Sequence, residues 1–159
     1  MKKIILLLSI LFTVLAGSYW LYDFKKNEAK KEYYKPLSPK DFEPETFISL
    51  LKEKYNQSSK LNSVVMTGEF SENWVKPNDV EYLISIIESK EKCCGYKNTF
   101  SSYISSEDAE VGGFAIIFLN SYISKTKINL GLNCNPKTDK EEVQKIETWY
   151  KTVQKPHSN

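Results

Sequence analysis

Three thiols are the most reactive side chains in this sequence. Cys93 and Cys94 are adjacent and Cys134 lies well downstream. A redox or nucleophilic thiol is activated at a helix N-terminus or beside a cation, commonly as Cys-x-x-Cys. Here the pair follows the end of a predicted helix, where the dipole raises a thiol pKa, so the spacing favours a structural role. In an oxidising compartment the expectation is one disulfide, from Cys134 to Cys94 or Cys93, with one thiol left over. Cys94 is preferred because Gly95 lets the backbone turn toward a partner. A loop of about 40 residues closed this way would lose denatured-state entropy equivalent to roughly 4 kcal/mol. Three separate thiols are the alternative.

Other chemistry is thin. His157 is the only histidine and stands two residues from the C-terminus, a poor place for an imidazole that a third group must hold. Three cysteines and a tail histidine lack zinc-ligand spacing, and Gly112-Gly113 matches no phosphate-binding fingerprint. The sequence therefore implies no metal and no cofactor. Glu107, Asp108, Glu110 and the pair Glu141-Glu142 fall at predicted helix starts, where acidic groups favour the dipole. Nothing buries them as a glycosidase pair requires. Two aromatic residues are candidates for contact with a partner. Trp74, beside Pro77, could be an exposed anchor of the kind enriched at hot spots, although a tryptophan there more often plugs a core. Tyr103 sits in a Ser/Thr-rich stretch, 99–106, that resembles an adaptable contact surface but also reads as an ordinary packed loop.

Charge narrows the partners. All 22 basic residues are Lys, and setting aside Lys2 and Lys3 leaves 20 against 20 acidic residues. A neutral body without Arg gives no electrostatic case for nucleic acid and lacks the bidentate fork suited to phosphate.

The elements that must position these groups begin with a leader. Lys2 and Lys3 precede an uncharged run from Ile4 to Tyr22, with Val14 and Ala16, or Ala16 and Ser18, spaced as a cleavage site. The run is also long enough for a membrane anchor with Tyr19, Trp20 and Tyr22 as an interfacial belt. A buried core helix is the third reading. Leu15-Ala16-Gly17-Ser18 resembles a lipoprotein acylation motif, but Ser18 replaces the thiol that would carry the lipid. Residues 1–22 are thus read as signal peptide or anchor, 23–40 as a charged linker, 41–155 as one globular domain and 156–159 as a tail.

Within the domain, Pro44 opens a first helix to about Tyr55, with Phe47, Leu50, Leu51 and Tyr55 on one face. Residues 64–70 read as a short strand broken by Gly68. Asn78 caps a second helix whose core face is Val80, Leu83, Ile84 and Ile87. Ser106 caps a third through about Ile123, apolar all round from Phe114 to Leu119. Its Gly112-Gly113 implies a close helix–helix contact. Residues 128–132 read as another short strand. A capping box of Thr138 and Glu141 opens a fourth helix, with Val143, Ile146, Tyr150 and Val153 as its stripe. The fold class is mainly α, a small domain of about four helices with short strands; α+β is the alternative.

Elimination favours a non-catalytic envelope protein, exported or membrane-tethered, that binds another protein; an inhibitor or immunity-type protein is one version. A structural subunit of an envelope assembly is the alternative, and a thiol-dependent enzyme ranks third. The expected location is the bacterial cell envelope, periplasmic or anchored in the inner membrane, or outside the cell. Fractionation of expressing cells should recover the protein in the envelope or medium. Recovery from the cytosol with Met1 intact would overturn the export reading.

Overall fold

Residues 13, 15–26, 36–57, 62–103 and 105–154 are described by a computed structural model, and the chain divides into two units, Met1–Pro36 and Leu37–Asn159. In the first, residues 15–26 are helical and exposed, with the rings of Trp20 and Phe24 stacked at 5.7 Å. Among the described residues no helix is long and apolar enough to cross a membrane. Most of the run from Ile4 to Tyr22 lies outside them, as does the tail with His157.

The second unit joins helices to short strands. After a 3-10 turn at Pro39–Asp41 come α1 (Pro44–Gln57), β1 (Ser63–Met66), α2 (Asp79–Ile86), β2 (Lys92–Cys93), β3 (Gly95–Asn98), β4 (Ala109–Glu110), α3 (Val111–Ser124), β5 (Asn133–Cys134) and α4 (Lys140–Gln154). β1 runs parallel to β3, β3 runs antiparallel to β5, and β2 pairs antiparallel with β4. The parallel pair requires a crossover, which α2 supplies.

Phe47 sits at the middle of the core. Its ring meets Phe70, Trp74, Phe114 and Phe118 at centroid separations of 5.6–6.1 Å. Such tilted and edge-on contacts suit the quadrupole of each ring. α3 is the central buried helix, with Phe114, Ala115, Phe118 and Leu119 fully buried.

Several helix starts differ from the sequence reading. α3 begins at Val111 rather than after Ser106, because Ala109 and Glu110 are taken into a strand pair with Cys93 and Lys92. Its first amides need no side-chain cap: Val111 N–H donates to the Glu91 carbonyl at 3.0 Å and Gly112 N–H to the Ser89 carbonyl at 2.9 Å. Backbone from a neighbouring segment thus satisfies donors that a helix start leaves open. Asn78 stands at the N-cap of α2 as read, but its side chain makes no capping bond. The Thr138–Glu141 capping box is not formed. Asp139 caps α4 instead, accepting from Glu141 and Glu142 N–H at 2.8 and 3.1 Å, while Thr138 Oγ1 donates to the Ser89 carbonyl. The strand expected at 128–132 is also absent. Ile128 and Leu130 are buried in alternation, but the left-handed φ of +65° at Gly131 ends the run, and pairing starts only at Asn133.

Gly112 and Gly113 mark close backbone approach, Gly112 to the C-cap end of α2 and Gly113 to the turn before α4. A Cβ on Gly112 would lie 2.4 Å from the Ile87 carbonyl oxygen, and one on Gly113 would lie 2.7 Å from the Pro136 carbonyl carbon. Neither neighbour is a flexible side-chain end, so the backbone would have to shift. Gly112→Ala should destabilise the fold by about 1–3 kcal/mol in urea unfolding through overpacking. Asp139→Ala should cost only about 1 kcal/mol, the worth of one cap. Equal small losses would contradict the close approach.

Candidate functional site

The cysteines are where the sequence places the chemistry, and the structure puts them inside. All three are free thiols, with Cys93 and Cys94 buried and Cys134 half-buried. Burial pushes the Cys93 thiol up to about 12, helped by neighbouring Cys94 and Glu91. Burial likewise pushes Cys134 up to about 11 and raises Cys94. A thiol this far above neutrality holds almost no thiolate, the nucleophilic form. Cys134 faces Tyr96 across the β3–β5 pair, and Cys94 lies two residues before that partner. Gly95 does not turn the backbone by a positive φ, which among glycines is confined to Gly68 and Gly131 in the described residues. Its role is close approach: the Asn135 carboxamide oxygen lies 1.6 Å from where its Cβ would stand.

Trp74 is not an exposed anchor. It is 6% exposed, its indole N–H donates to the Pro39 carbonyl at 3.0 Å, and it packs against Phe47, Phe70 and Phe118. Tyr103 is the opposite case at 61% exposed, and Phe100, expected to be packed, is 83% exposed. Both belong to the segment after β3. Cross-strand partners carry their side chains on one face of a sheet, and Val65, Lys97 and Asn133 are such partners. The opposite face holds Val64 and Tyr96, which are buried in the core.

Polar pins tie the segment to the outer face. Asn133 and Ser101 exchange side-chain hydrogen bonds at 2.7 and 2.9 Å, and Asn135, two residues on, donates to Ser105 Oγ at 2.8 Å. Near the start of β1, Asn62 donates to Asp108 at 2.6 Å and to the Ser106 carbonyl. Asp108 also pairs with Lys92 at 2.7 Å, a bond that holds its carboxyl below the usual range. Glu110 is lowered by the Thr138 backbone N–H that it accepts. Asp108 thus ties the C-terminal side of the segment to Asn62 and Lys92, and Glu110, the residue before α3, is held by the turn into α4. Between the Ser101 and Ser105 pins Tyr103 stays exposed, and Phe100 precedes the first pin in a turn closed by Ser101 N–H to the Asn98 carbonyl at 2.9 Å. The pairing of Asn133 with Ser101 and of Asn135 with Ser105 is not evident from the sequence alone. The Asn-Cys-Asn alternation across β5, facing Ser residues four apart, was the available signal.

A hollow of about 500 Å³ opens beside Tyr96 and Asn98 of β3, lined also by Phe70, Ile128 and Leu130. Lys127 and Glu69 form an ion pair at its rim, and its lining holds no Ser, Cys or His. Among the described residues no three His, Cys, Asp or Glu converge to hold a metal ion. The arrangement offers exposed aromatic rings on a pinned segment, and its thiols are buried or half-buried with raised pKa values.

As free thiols, all three cysteines should resist alkylation at pH 7.5 in the folded protein and all should react in urea. A single reactive thiol in urea without reductant would instead report the Cys134 bridge. No family model, curated protein or solved structure matches this chain.

Proposed function

We propose that the chain is a non-catalytic envelope protein, exported or membrane-tethered, that acts by binding another protein through the strap face of its sheet. One observation carries the reading: Phe100 and Tyr103 are exposed on a segment held by side-chain hydrogen bonds to Asn133 and Asn135. Aromatic rings in water represent apolar area available for burial. A segment already held by hydrogen bonds at Ser101 and Ser105 loses less backbone entropy when a partner covers its rings. Tyrosine adds a hydroxyl that can find a partner, as hot-spot residues do. Val65, 46% exposed, widens the apolar part of the same face.

The thiol-enzyme reading is disfavoured by burial and by the raised pKa values of Cys93 and Cys134. An anion-recognition role is disfavoured by a surface without Arg.

The test is site-directed photocrosslinking in the native envelope. A photoreactive side chain at position 103 should give one adduct of discrete mass, while the same group at exposed Glu72 should not. Replacing both rings, Phe100→Ala with Tyr103→Ala, should weaken capture of that partner by at least about tenfold. Equal labelling from both positions, or capture that survives loss of both rings, would overturn the proposal.

A further inference from the structure

The hollow beside β3 exists because the sheet comes apart there on both sides. On one flank the last bond to the β1 segment runs from Thr99 N–H to the Met66 carbonyl at 2.9 Å, and on the other Asn98 N–H reaches the Leu132 carbonyl at 2.8 Å. Away from those bonds the chain turns at Gly68, with φ of +91°, and at Gly131, with φ of +65°. Both are left-handed conformations that suit glycine. Ile128 and Leu130 then turn inward, buried like Phe70 and Tyr96. The hollow left between them measures about 500 Å³, within the range of small-molecule sites, about 300–1,000 Å³.

Two donors stand in its wall without a matching acceptor. Tyr96 is 4% exposed, and its hydroxyl accepts one long bond, 3.4 Å, from Asn98 Nδ2. The Asn98 carboxamide oxygen accepts from Phe100 N–H at 3.0 Å, which fixes the amide with its nitrogen toward the phenol. That nitrogen can only donate, so the phenol proton meets no acceptor among the described residues, and neither does the second N–H of the amide. A buried tyrosine hydroxyl ordinarily finds a partner. Tyr96 and Asn98 both line the hollow, and an acceptor can reach them from inside it. Charge at the mouth is balanced, because Lys127 pairs with Glu69 and the other lining residues are uncharged.

We propose that the hollow binds a small uncharged molecule with an apolar, ring-sized body and one carbonyl-type oxygen. The body lies on Phe70, Ile128 and Leu130, and the oxygen accepts from the Tyr96 hydroxyl and the Asn98 carboxamide. An analogue without that oxygen buries the same apolar area but leaves the two donors unpaired, which costs affinity. A charged analogue gives up hydration over an apolar floor whose rim charges already neutralise each other. Val65, Phe100 and Tyr103 are not part of the lining, so this site stands or falls separately from the partner-binding face.

The test titrates four probes into the full-length protein and follows backbone amides by NMR, with free probe set by equilibrium dialysis. Acetophenone carries a ring and a carbonyl, ethylbenzene the ring without the oxygen, and benzoate and benzylammonium a ring with a charge. Acetophenone should saturate with a Kd of about 1 mM or tighter, moving the amides of Phe70, Tyr96, Asn98, Ile128 and Leu130. The other three should bind at least about tenfold more weakly. Tyr96→Phe keeps the ring and removes one donor. Its melting temperature should change little, because the lost hydroxyl makes only one long bond, and its preference for acetophenone over ethylbenzene should shrink severalfold. The wild-type series decides the matter alone if that variant does not fold. No saturation by about 10 mM acetophenone, shifts centred on other residues, or equal affinity for ethylbenzene or for either charged probe would overturn the proposal. So would a folded Tyr96→Phe that keeps the full preference for acetophenone.

Discussion

The fold depends on backbone being able to lie directly on the first turn of α3. Where Gly112 and Gly113 stand, the carbonyls of Ile87, Ser89 and Pro136 occupy the space a methyl group would need. That proximity allows the Ser89 and Glu91 carbonyls to take the first α3 amides, and Ser89 also accepts from Thr138 Oγ1. Glu110 N–H reaches the Pro136 carbonyl at 2.9 Å, and the Glu110 carboxylate accepts from Thr138 N–H at the same distance. Three chain segments thus meet at one seam: the end of α2, the start of α3 and the turn into α4. Glycine costs helix propensity of about 1 kcal/mol at each position, and the seam is what offsets that cost.

The seam also fixes the outer face of the sheet. Pro136 follows directly on Asn135, so anchoring the 136–138 turn sets the register of β5 against β3. That register places Asn133 and Asn135 on the face away from the core, each two residues from the other. Their carboxamides then hold Ser101 and Ser105, and the exposed rings of the strap follow from that. Packing inside and recognition outside are linked through a short run, Asn133 to Pro136. The same run carries Cys134 between the two Asn pins, its thiol half-buried and raised by desolvation.

The helical core was legible because its spacing is regular. Phe47 and Leu51, or Val80, Leu83 and Ile87, fall on one face at helical period, and all are buried. Strands β2, β4 and β5 were not legible: each has two residues, too few for an alternating pattern. Helix starts were misplaced for another reason. Ser106 and Thr138 have good capping chemistry, but backbone from Glu91 and Ser89 takes the first α3 amides and the next residue, Asp139, caps α4, whereas Asn78 does stand at the start of α2. Trp74 and Phe100 could not be sorted into core and surface from sequence. Local composition does not show that Pro39 offers a carbonyl to one or that the strap turns the other outward. The leader reading rests on residues that are mostly outside the described part of the chain.

Native-state hydrogen exchange measures the seam most directly, because each amide reports the free energy of the opening that exposes it. The account predicts that Val111 and Gly112 amides exchange only through global unfolding, with the same denaturant dependence as the buried middle of α3. Exchange of these two amides through local opening, at rates like those of the exposed turn around Phe100, would contradict it.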